Sequence, residues 1–307
     1  MLQYLIILLD DTSTSFCHYE NNKSVHRLMP IETLRLGIRF GMMENLMIQF
    51  VYPDYELPQE YSEVIESIDH SKIKPICIGA DVVVLNGISD VDTDTPVVLR
   101  ISKKDLVSHV DALMEMMDKT SRLNIVLTDV ETFSDDDYAS YKVVLEKLSK
   151  KMEQMYVVGK LSQLNVLTDR MMLKEMNNCG AGDTTLTLAP NGKFYVCPGF
   201  YYDDESDNIG DLENGLDIKN KQLYQIDHAP ICNHCDAYQC KRCVWLNQKT
   251  TLEINTPSHE QCVLAHLERN ASRDLLNSIR KHGTFLPEQE EIKEIDYLDP
   301  FDKKDEW

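Results

Sequence analysis

The chain has 307 residues, of which 43% are hydrophobic and 27% charged, enough apolar content to bury one large core or two domains. Its formal net charge of −20 would repel a phosphate backbone, so we expect no nucleic-acid partner. The apolar run in the opening MLQYLIILLDD is too short for a membrane span and lacks the basic leader of a signal peptide. We therefore expect a cytoplasmic protein with no membrane partner.

The first 178 residues alternate short apolar runs with segments of helical period, which is the pattern of β/α units around a parallel sheet. We predict strands at Tyr4–Leu9, Leu46–Tyr52, Asp81–Leu85, Val97–Ile101, Asn124–Leu127 and Tyr156–Val158. We predict helices between them at Ile31–Met43, Gln59–Ile68, Lys104–Met117 and Asp135–Met155. The predicted fold class is α/β.

The clearest helix start is the run of acids after Phe133. Ser134 can cap the first-turn N–H groups, and the three following aspartates complement the positive end of the helix dipole. This run predicts a capped helix in preference to a metal site.

The pattern changes after Cys179. The segment TLTLAPNGKFYVC alternates like a strand on both sides of Pro190-Asn191-Gly192, which predicts a β-hairpin. A cysteine-dense loop follows, and then an amphipathic helix from about Ser258 to Lys281. From Pro287 to Trp307, nine acids stand against three lysines, and we expect a solvated or partner-contacting tail.

Cysteine spacing carries the main chemical signal. Thiols stay reduced in a cytoplasmic setting, so nine cysteines indicate metal ligation or redox chemistry before disulfides. Seven of them lie between residues 179 and 262, in the order Cys179, Cys197, Cys232, Cys235, Cys240, Cys243 and Cys262. One zinc ribbon would use four and leave three unexplained, whereas two tetrahedral centres need eight ligands and leave one corner open. Iron–sulfur centres account for the set best, with zinc as the alternative.

The run NCGAGDTTLTLAPNGKFYVCPGF, followed by NIGDLENG and CNHCDAYQCKRC, resembles the SPASM domain, the auxiliary-cluster domain of radical SAM enzymes that modify peptides. The resemblance implies two auxiliary [4Fe–4S] clusters. By position, the first cluster would take Cys179, Cys197 and Cys243, and the second would take Cys232, Cys235, Cys240 and Cys262. The gaps before the fifth and sixth cysteines are each one residue shorter than in the family, which leaves zinc open at this segment.

The same resemblance implies a domain organisation. A partial (β/α) TIM-like barrel over residues 1–178 would precede a small Cys-rich SPASM-like α+β domain over 179–284, with an acidic tail over 285–307.

Radical SAM proteins need a C-x3-C-x-aromatic-C motif after the first strand, because three thiolates hold the cluster that binds the cofactor. The matching positions here are Ser13, Cys17 and Glu20, with the aromatic Tyr19 in place. The Gly-Gly-Glu-Pro turn expected after the second strand is replaced by YPDYELP, which has no glycine. We therefore expect that S-adenosylmethionine is not a cofactor.

Over nearly its whole length, through YLIILLDDTSTSFCHYE, ENLMIQFVYPDYELP and the SPASM-like end, the chain resembles the CXXX repeat peptide maturases. These proteins are similar to radical SAM/SPASM proteins but lack the usual cofactor cluster. The resemblance implies a short Cys-rich precursor peptide as partner. One hypothesis is a maturase, or an essential component of one, for this ribosomally made peptide. The other is a non-catalytic binding module that delivers the peptide to another peptide-modification protein, with structural zinc or iron–sulfur centres.

Polar residues after the first strand could form an alternative site. Asp10, Asp11 and Glu20 would stand at the strand-end edge where barrel active sites collect, with Cys17 as nucleophile and His18 as base. The competing interpretation is a solvated loop.

Two further residues have simple interpretations. Cys77 lies in an apolar run and is predicted to be a buried core residue. His228 could complete a metal corner, although a surface position is the simpler interpretation.

Overall fold

The computed structural model describes residues 1–295 and 297–302. Its strands form a mostly parallel sheet of nine strands and a separate two-stranded hairpin. The chain divides into two compact units, one of residues 1–84 and 180–228, the other of 85–179 and the described residues from 229 onward. Within the described part of the chain, no helix is long and apolar enough to cross a membrane.

The first unit is built on β/α repeats. Its elements are β1 (Tyr4–Leu8), α1 (Ile31–Met43), β2 (Met47–Val51), α2 (Gln59–Ile65), β3 (Ser71–Lys74), the start of β4 (Val82–Asn86), β8 (Thr185–Leu188), β9 (Phe194–Tyr195), α7 (Pro198–Asp203), β10 (Gly210–Asp211) and β11 (Gly215–Leu216). The strand order is β4-β3-β2-β1-β8-β9, and only β9 is antiparallel to its neighbour. The carboxyl ends of β1, β2 and β3 therefore meet at one edge.

Helix α1 packs on the sheet through glycine. A Cβ added at Gly37 would lie 2.4 Å from Cδ2 of Leu188, which is fully buried in β8. The helix can approach the sheet this closely only because Gly37 has no side chain.

Replacing Gly37 with alanine should therefore lower the free energy of unfolding by about 1 to 3 kcal/mol, although alanine is normally the better helix former. Urea unfolding of Gly37→Ala beside Arg39→Ala, an exposed position of the same helix, measures this. Equal stability of the two variants would show that α1 is not packed through Gly37.

The second unit combines three parallel strands with a helical layer. Its further elements are β5 (Val97–Ile101), α3 (Lys103–Ser108), α4 (Val110–Lys119), β6 (Arg122–Leu127), α5 (Asp135–Val157), β7 (Gln163–Leu164), α6 (Asn165–Met172), α8 (Val244–Thr251) and α9 (His259–Arg280). The order is β5-β6-β7. Helix α9 packs against both α5 and α6. Its buried face includes Val263, Leu264, Leu267, Leu275 and Ile279.

Most predicted elements are confirmed within two or three residues. The helix start at Ser134 is also confirmed, because Asp137 accepts from the Ser134 backbone N–H at 2.9 Å. Helix α9 begins after Ser258, whose hydroxyl accepts from the Gln261 N–H. The predicted hairpin is present as β8 and β9.

Two predicted elements are wrong. The proposed strand Tyr156–Val158 does not form, because α5 continues to Val157. The single helix predicted over Lys104–Met117 is two helices, because the backbone leaves the helical conformation at His109, between α3 and α4.

Two burial predictions also fail. Cys77 is exposed, because the apolar run after β3 turns away from the sheet and leaves Ile76 and Ile78 in solvent as well. The prediction of a solvated tail is wrong at Ile292 and Asp299, because these residues are only 2% and 1% exposed. The part of that tail at positions 296 and 303–307 lies outside the described residues.

Candidate functional site

Four of the predicted ligands come together in the second unit. Cys232, Cys235 and Cys240 lie on one loop, and Cys262 lies in the first turn of α9. The three loop thiols are near enough to Cys262 that their ionised forms would raise its pKa. The second cysteine set predicted from the sequence is thus gathered on two neighbouring segments.

Two backbone N–H groups of the loop point toward cysteine sulfurs. The Ala237 N–H donates to Cys235 Sγ at 3.4 Å, and the Arg242 N–H donates to Cys240 Sγ at 3.5 Å. Hydrogen bonds of this kind tune the potential of thiolate-bound clusters. Sulfur atoms that accept from backbone N–H groups are the donor chemistry that a thiolate-held metal centre would use.

These thiols are strongly desolvated. Burial raises the pKa of the Cys232 thiol to about 11 and that of the Cys240 thiol to about 12, with a contribution from the neighbouring thiols. Burial also raises the pKa of Cys262. Without a cation the group therefore stays protonated at neutral pH, and metal binding would release protons.

No three His, Cys, Asp or Glu side chains among residues 1–295 and 297–302 converge tightly enough to hold a metal ion as they stand. The four thiols are close to one another, but their sulfur atoms do not converge on one metal position. His266 Nε2 lies 3.4 Å from Cys235 Sγ, so an imidazole also borders the group.

An aspartate fixes the loop between the second and third of these cysteines. The Asp236 carboxylate accepts from Arg269 Nε at 3.0 and 3.1 Å, and its backbone carbonyl accepts from Arg170 Nε at 2.6 Å. Arg269 is fully buried, and Arg170 also stacks on the Tyr238 ring at 4.2 Å. The loop conformation thus depends on one charged side chain held by two arginines.

The three cysteines predicted to hold the first cluster are divided between the two units. Cys197 precedes α7 in the first unit, whereas Cys179 and Cys243 belong to the second. The Cys179 N–H donates to the Lys241 carbonyl at 2.9 Å, so the Cys179 segment runs beside the end of the cysteine loop. His228 is exposed.

A half-buried carboxyl group borders the cysteine loop. Glu268 of α9 accepts from the Tyr141 hydroxyl at 2.8 Å and from Gln239 Nε2 at 3.4 Å. Burial raises the pKa of Glu268 to about 7, and the nearby Asp169 charge adds to this effect. Between the ordinary pKa and this value, the folded chain binds more protons than the unfolded chain, so its stability falls as the pH rises.

Replacing Glu268 with glutamine removes that titration. We expect Glu268→Gln to raise the free energy of unfolding by up to about 3 kcal/mol above pH 7 and by little near pH 4.5. Urea unfolding of both proteins at pH 5 and pH 8 measures this. The same difference at both pH values would contradict a Glu268 carboxyl that is neutral in the folded protein.

The strand-end edge of the first unit is closed by the chain's own side chains. Ser13, in the first expected ligand position, is fully buried, and its hydroxyl donates to the Val51 carbonyl at 2.9 Å. Tyr19 is 2% exposed and packs against Tyr202 at 5.6 Å. Glu20 is exposed. These residues do not fit the cluster that binds S-adenosylmethionine.

A charged network covers the end of β1. The Tyr201 hydroxyl donates to the Asp11 carboxylate and accepts from Arg27 Nη2 at 2.7 Å. Arg27 also pairs with Asp11 at 2.8 Å and with Glu205 at 2.8 Å. Burial, together with the bond to Asp11, raises the pKa of Tyr201.

Of the alternative site predicted from the sequence, Cys17 and His18 are half-buried on the loop after β1. Burial raises the pKa of the adjacent Tyr19, and the Cys17 and Cys197 thiols add to the effect. Sequence reasoning missed His26 and Tyr55, which both reach Asp10 at this edge. Spacing gives no signal for them, because separate loops bring them there.

No family model and no curated protein sequence matches this chain. Among solved structures, the chain is similar to native anSMEcpe with bound AdoMet and Cp18Cys peptide, with TM-score 0.60 and 12% identity over 92% of this chain and 100% of that one. Native anSMEcpe with bound AdoMet gives TM-score 0.58 and 11% identity over 91% and 99%. Streptococcus suis SuiB bound to precursor peptide SuiA gives only 0.38, with 11% identity over 73% and 64%.

At these identities the likeness concerns the fold. The chain has an α/β fold with a mostly parallel sheet, and this fold matches that of anSMEcpe over nearly the whole length of the chain. The predicted fold class is therefore confirmed.

Proposed function

We propose that this chain takes part in maturing a short, cysteine-rich, ribosomally made peptide, and does so as an iron–sulfur protein without radical SAM chemistry. The observation that carries the proposal is that Cys232, Cys235 and Cys240 lie on one loop, whose N–H groups donate to sulfur, close to Cys262 in the first turn of α9. A fold shared with anSMEcpe, a protein solved with a bound peptide, supports a peptide partner.

These four thiols would hold one [4Fe–4S] cluster within the SPASM-like segment 179–284, or zinc in the alternative. Cys179, Cys197 and Cys243 would hold a second cluster with one corner open. When bound, such clusters supply electron transfer or a corner for a substrate thiolate. A reducing, cytoplasmic setting suits free thiols of this kind.

The loop after β1 supports the absence of radical SAM chemistry. The Ser13 hydroxyl is committed to Val51, and the backbone carbonyl of Ser13 accepts from the Tyr202 hydroxyl at 3.2 Å. Asn21 Nδ2 donates to the same carbonyl at 2.9 Å. Ser13 therefore holds the loop in place by hydrogen bonds, at a position where the cluster that binds S-adenosylmethionine would need a ligand. Cys17 and His18 stay proposed as a nucleophile and base on this loop.

A second candidate is a non-catalytic module that binds the precursor and delivers it to another peptide-modification protein. Four thiols close one tetrahedral centre completely, and this favours a structural role for the Cys232–Cys262 set. The two candidates differ in whether a peptide thiol ligates a metal centre.

The test is titration of a peptide of Cys-x-x-x repeats into metal-loaded protein, beside the same peptide with every cysteine changed to serine. Tighter binding of the cysteine peptide supports ligation, and equal binding supports delivery. No binding of either peptide would contradict both. Formation of 5′-deoxyadenosine above background from added S-adenosylmethionine would contradict the absence of radical SAM chemistry.

A further inference from the structure

His26 lies at the edge of the first unit where the carboxyl ends of the strands meet, next to a segment that is hydrogen-bonded to the end of β1. Residues 27–29 run antiparallel to the end of β1, since the Asp11 N–H donates to the Arg27 carbonyl at 3.2 Å and the Met29 N–H donates to the Leu9 carbonyl at 2.8 Å. His26 immediately precedes this segment, and its side chain is 61% exposed. The backbone thus holds an accessible imidazole beside the end of β1.

The Asp10 carboxylate lies at the centre of the polar side chains around His26. Its carboxylate is fully buried and accepts from the Thr12 N–H at 2.8 Å, from the Thr12 hydroxyl at 2.6 Å and from the Tyr55 hydroxyl at 3.0 Å. His26 Nδ1 lies 3.5 Å from the same carboxylate. The Tyr55 ring meets the imidazole edge-on at 4.8 Å between centroids.

The hydrogen-bond pattern selects one tautomer of the imidazole. Thr12 has a single hydroxyl hydrogen, and the 2.6 Å contact assigns it to Asp10. The Thr12 oxygen lies 3.0 Å from His26 Nδ1, so it accepts a hydrogen from that nitrogen. In the neutral ring Nδ1 therefore carries the hydrogen, and Nε2 has a free lone pair.

We propose that His26 Nε2 is a general base that takes the proton from a cysteine thiol of a bound peptide, with Thr12 and Asp10 as positioning residues. This role rests on the proposed function for its substrate class. The arrangement matches what general-base catalysis requires, which is a fixed imidazole whose second nitrogen is oriented by a hydroxyl and a carboxylate.

The step balances without an oxidant or reductant. The thiol S–H bond breaks, its proton forms a bond to Nε2, and the electron pair stays on sulfur as a thiolate. The resulting imidazolium keeps its Nδ1–H bond to Thr12 and gains attraction to the buried Asp10 carboxylate. The groups that face it are Asp10, which follows β1, and Tyr55 from the β2–α2 loop. Arg27 is next in the chain and is paired to Asp11 and Glu205.

The first test needs no peptide. Nitrogen-15 NMR of imidazole-labelled protein should show neutral His26 with hydrogen on Nδ1, and Thr12→Val should remove this preference. A neutral ring with hydrogen on Nε2 in the unaltered protein would overturn the proposal.

The second test measures thiolate formation on a bound Cys-x-x-x peptide by its rate of alkylation with iodoacetamide at pH 7. An ordinary cysteine is only a few per cent thiolate at this pH, so a base can raise the rate roughly tenfold or more. We expect this acceleration in the unaltered protein and in His109→Gln, which changes an exposed histidine of the second unit, and its loss in His26→Gln.

The outcomes separate the two proposals. If all three proteins bind the peptide and alkylation does not depend on His26, the base role is overturned while the proposed function stands. If the unaltered protein binds no peptide, the proposed function fails, and the base role fails with it.

Discussion

Replacing Asp236 with alanine should lower the free energy of unfolding by about 3 to 5 kcal/mol. Its two carboxylate oxygens share the Nε–H of Arg269 and also accept from Nη2 of that residue, which is fully buried. Arg170 lies 3.6 Å from the same carboxylate, with its side chain 7% exposed. Removing the shared anion would leave two desolvated guanidinium groups close together, which costs far more than the loss of one hydrogen bond.

Asp217→Ala provides the matched control. Asp217 pairs with Lys219 at 3.7 Å, and both side chains are more than 70% exposed, so its loss should change stability by less than about 1 kcal/mol. Urea unfolding of both variants measures the contrast. Losses of similar size would show that the Asp236 pair does not fix the cysteine loop. Asp236→Asn keeps the shape without the charge and should fall between the two.

Replacing Cys240 with alanine should lower the iron content by up to about four atoms per chain, which is the content of one cluster. Its thiol is desolvated beside Cys232 and Cys235, so its loss would open one corner of a centre that four thiols otherwise close, and we expect the opened cluster to lose iron. Cluster binding also contributes folding free energy, and we expect this variant to be more sensitive to protease. The measurement is iron and sulfide per chain after anaerobic purification.

Cys77→Ala is the control for that variant, because Cys77 is an exposed thiol that belongs to neither predicted cluster. Its iron content should equal that of the unaltered protein. Full iron content in Cys240→Ala would remove Cys240 from the ligand set.

The sheet could be predicted from the sequence where burial and apolar content coincide. Strand β1 has four buried residues among five, and its apolar run marks it clearly. Strand β3 has the sequence SKIK with one buried residue, so no pattern indicated it. The run around Cys77 shows the opposite case, because its apolar residues are exposed in a turn.

The candidate site, like the sheet, could be predicted from the sequence only in part. The cysteine ligands could be proposed from spacing, because a C-x2-C turn is a local structure. The arginines that hold Asp236 lie 66 and 33 positions away in the chain, and only packing brings them together. His26 likewise reaches Asp10 through a segment that returns to the end of β1, so the tautomer of its ring is set by tertiary contacts that the sequence does not indicate.

The most direct test of the central claim is the metal content of the full chain purified anaerobically, measured as iron, acid-labile sulfide and zinc per chain. We expect iron and sulfide in equal amounts, near eight of each if both clusters are complete, with a brown colour that is lost on exposure to air. Stoichiometric zinc without sulfide would contradict it and would assign the Cys232–Cys262 thiols to a structural zinc centre.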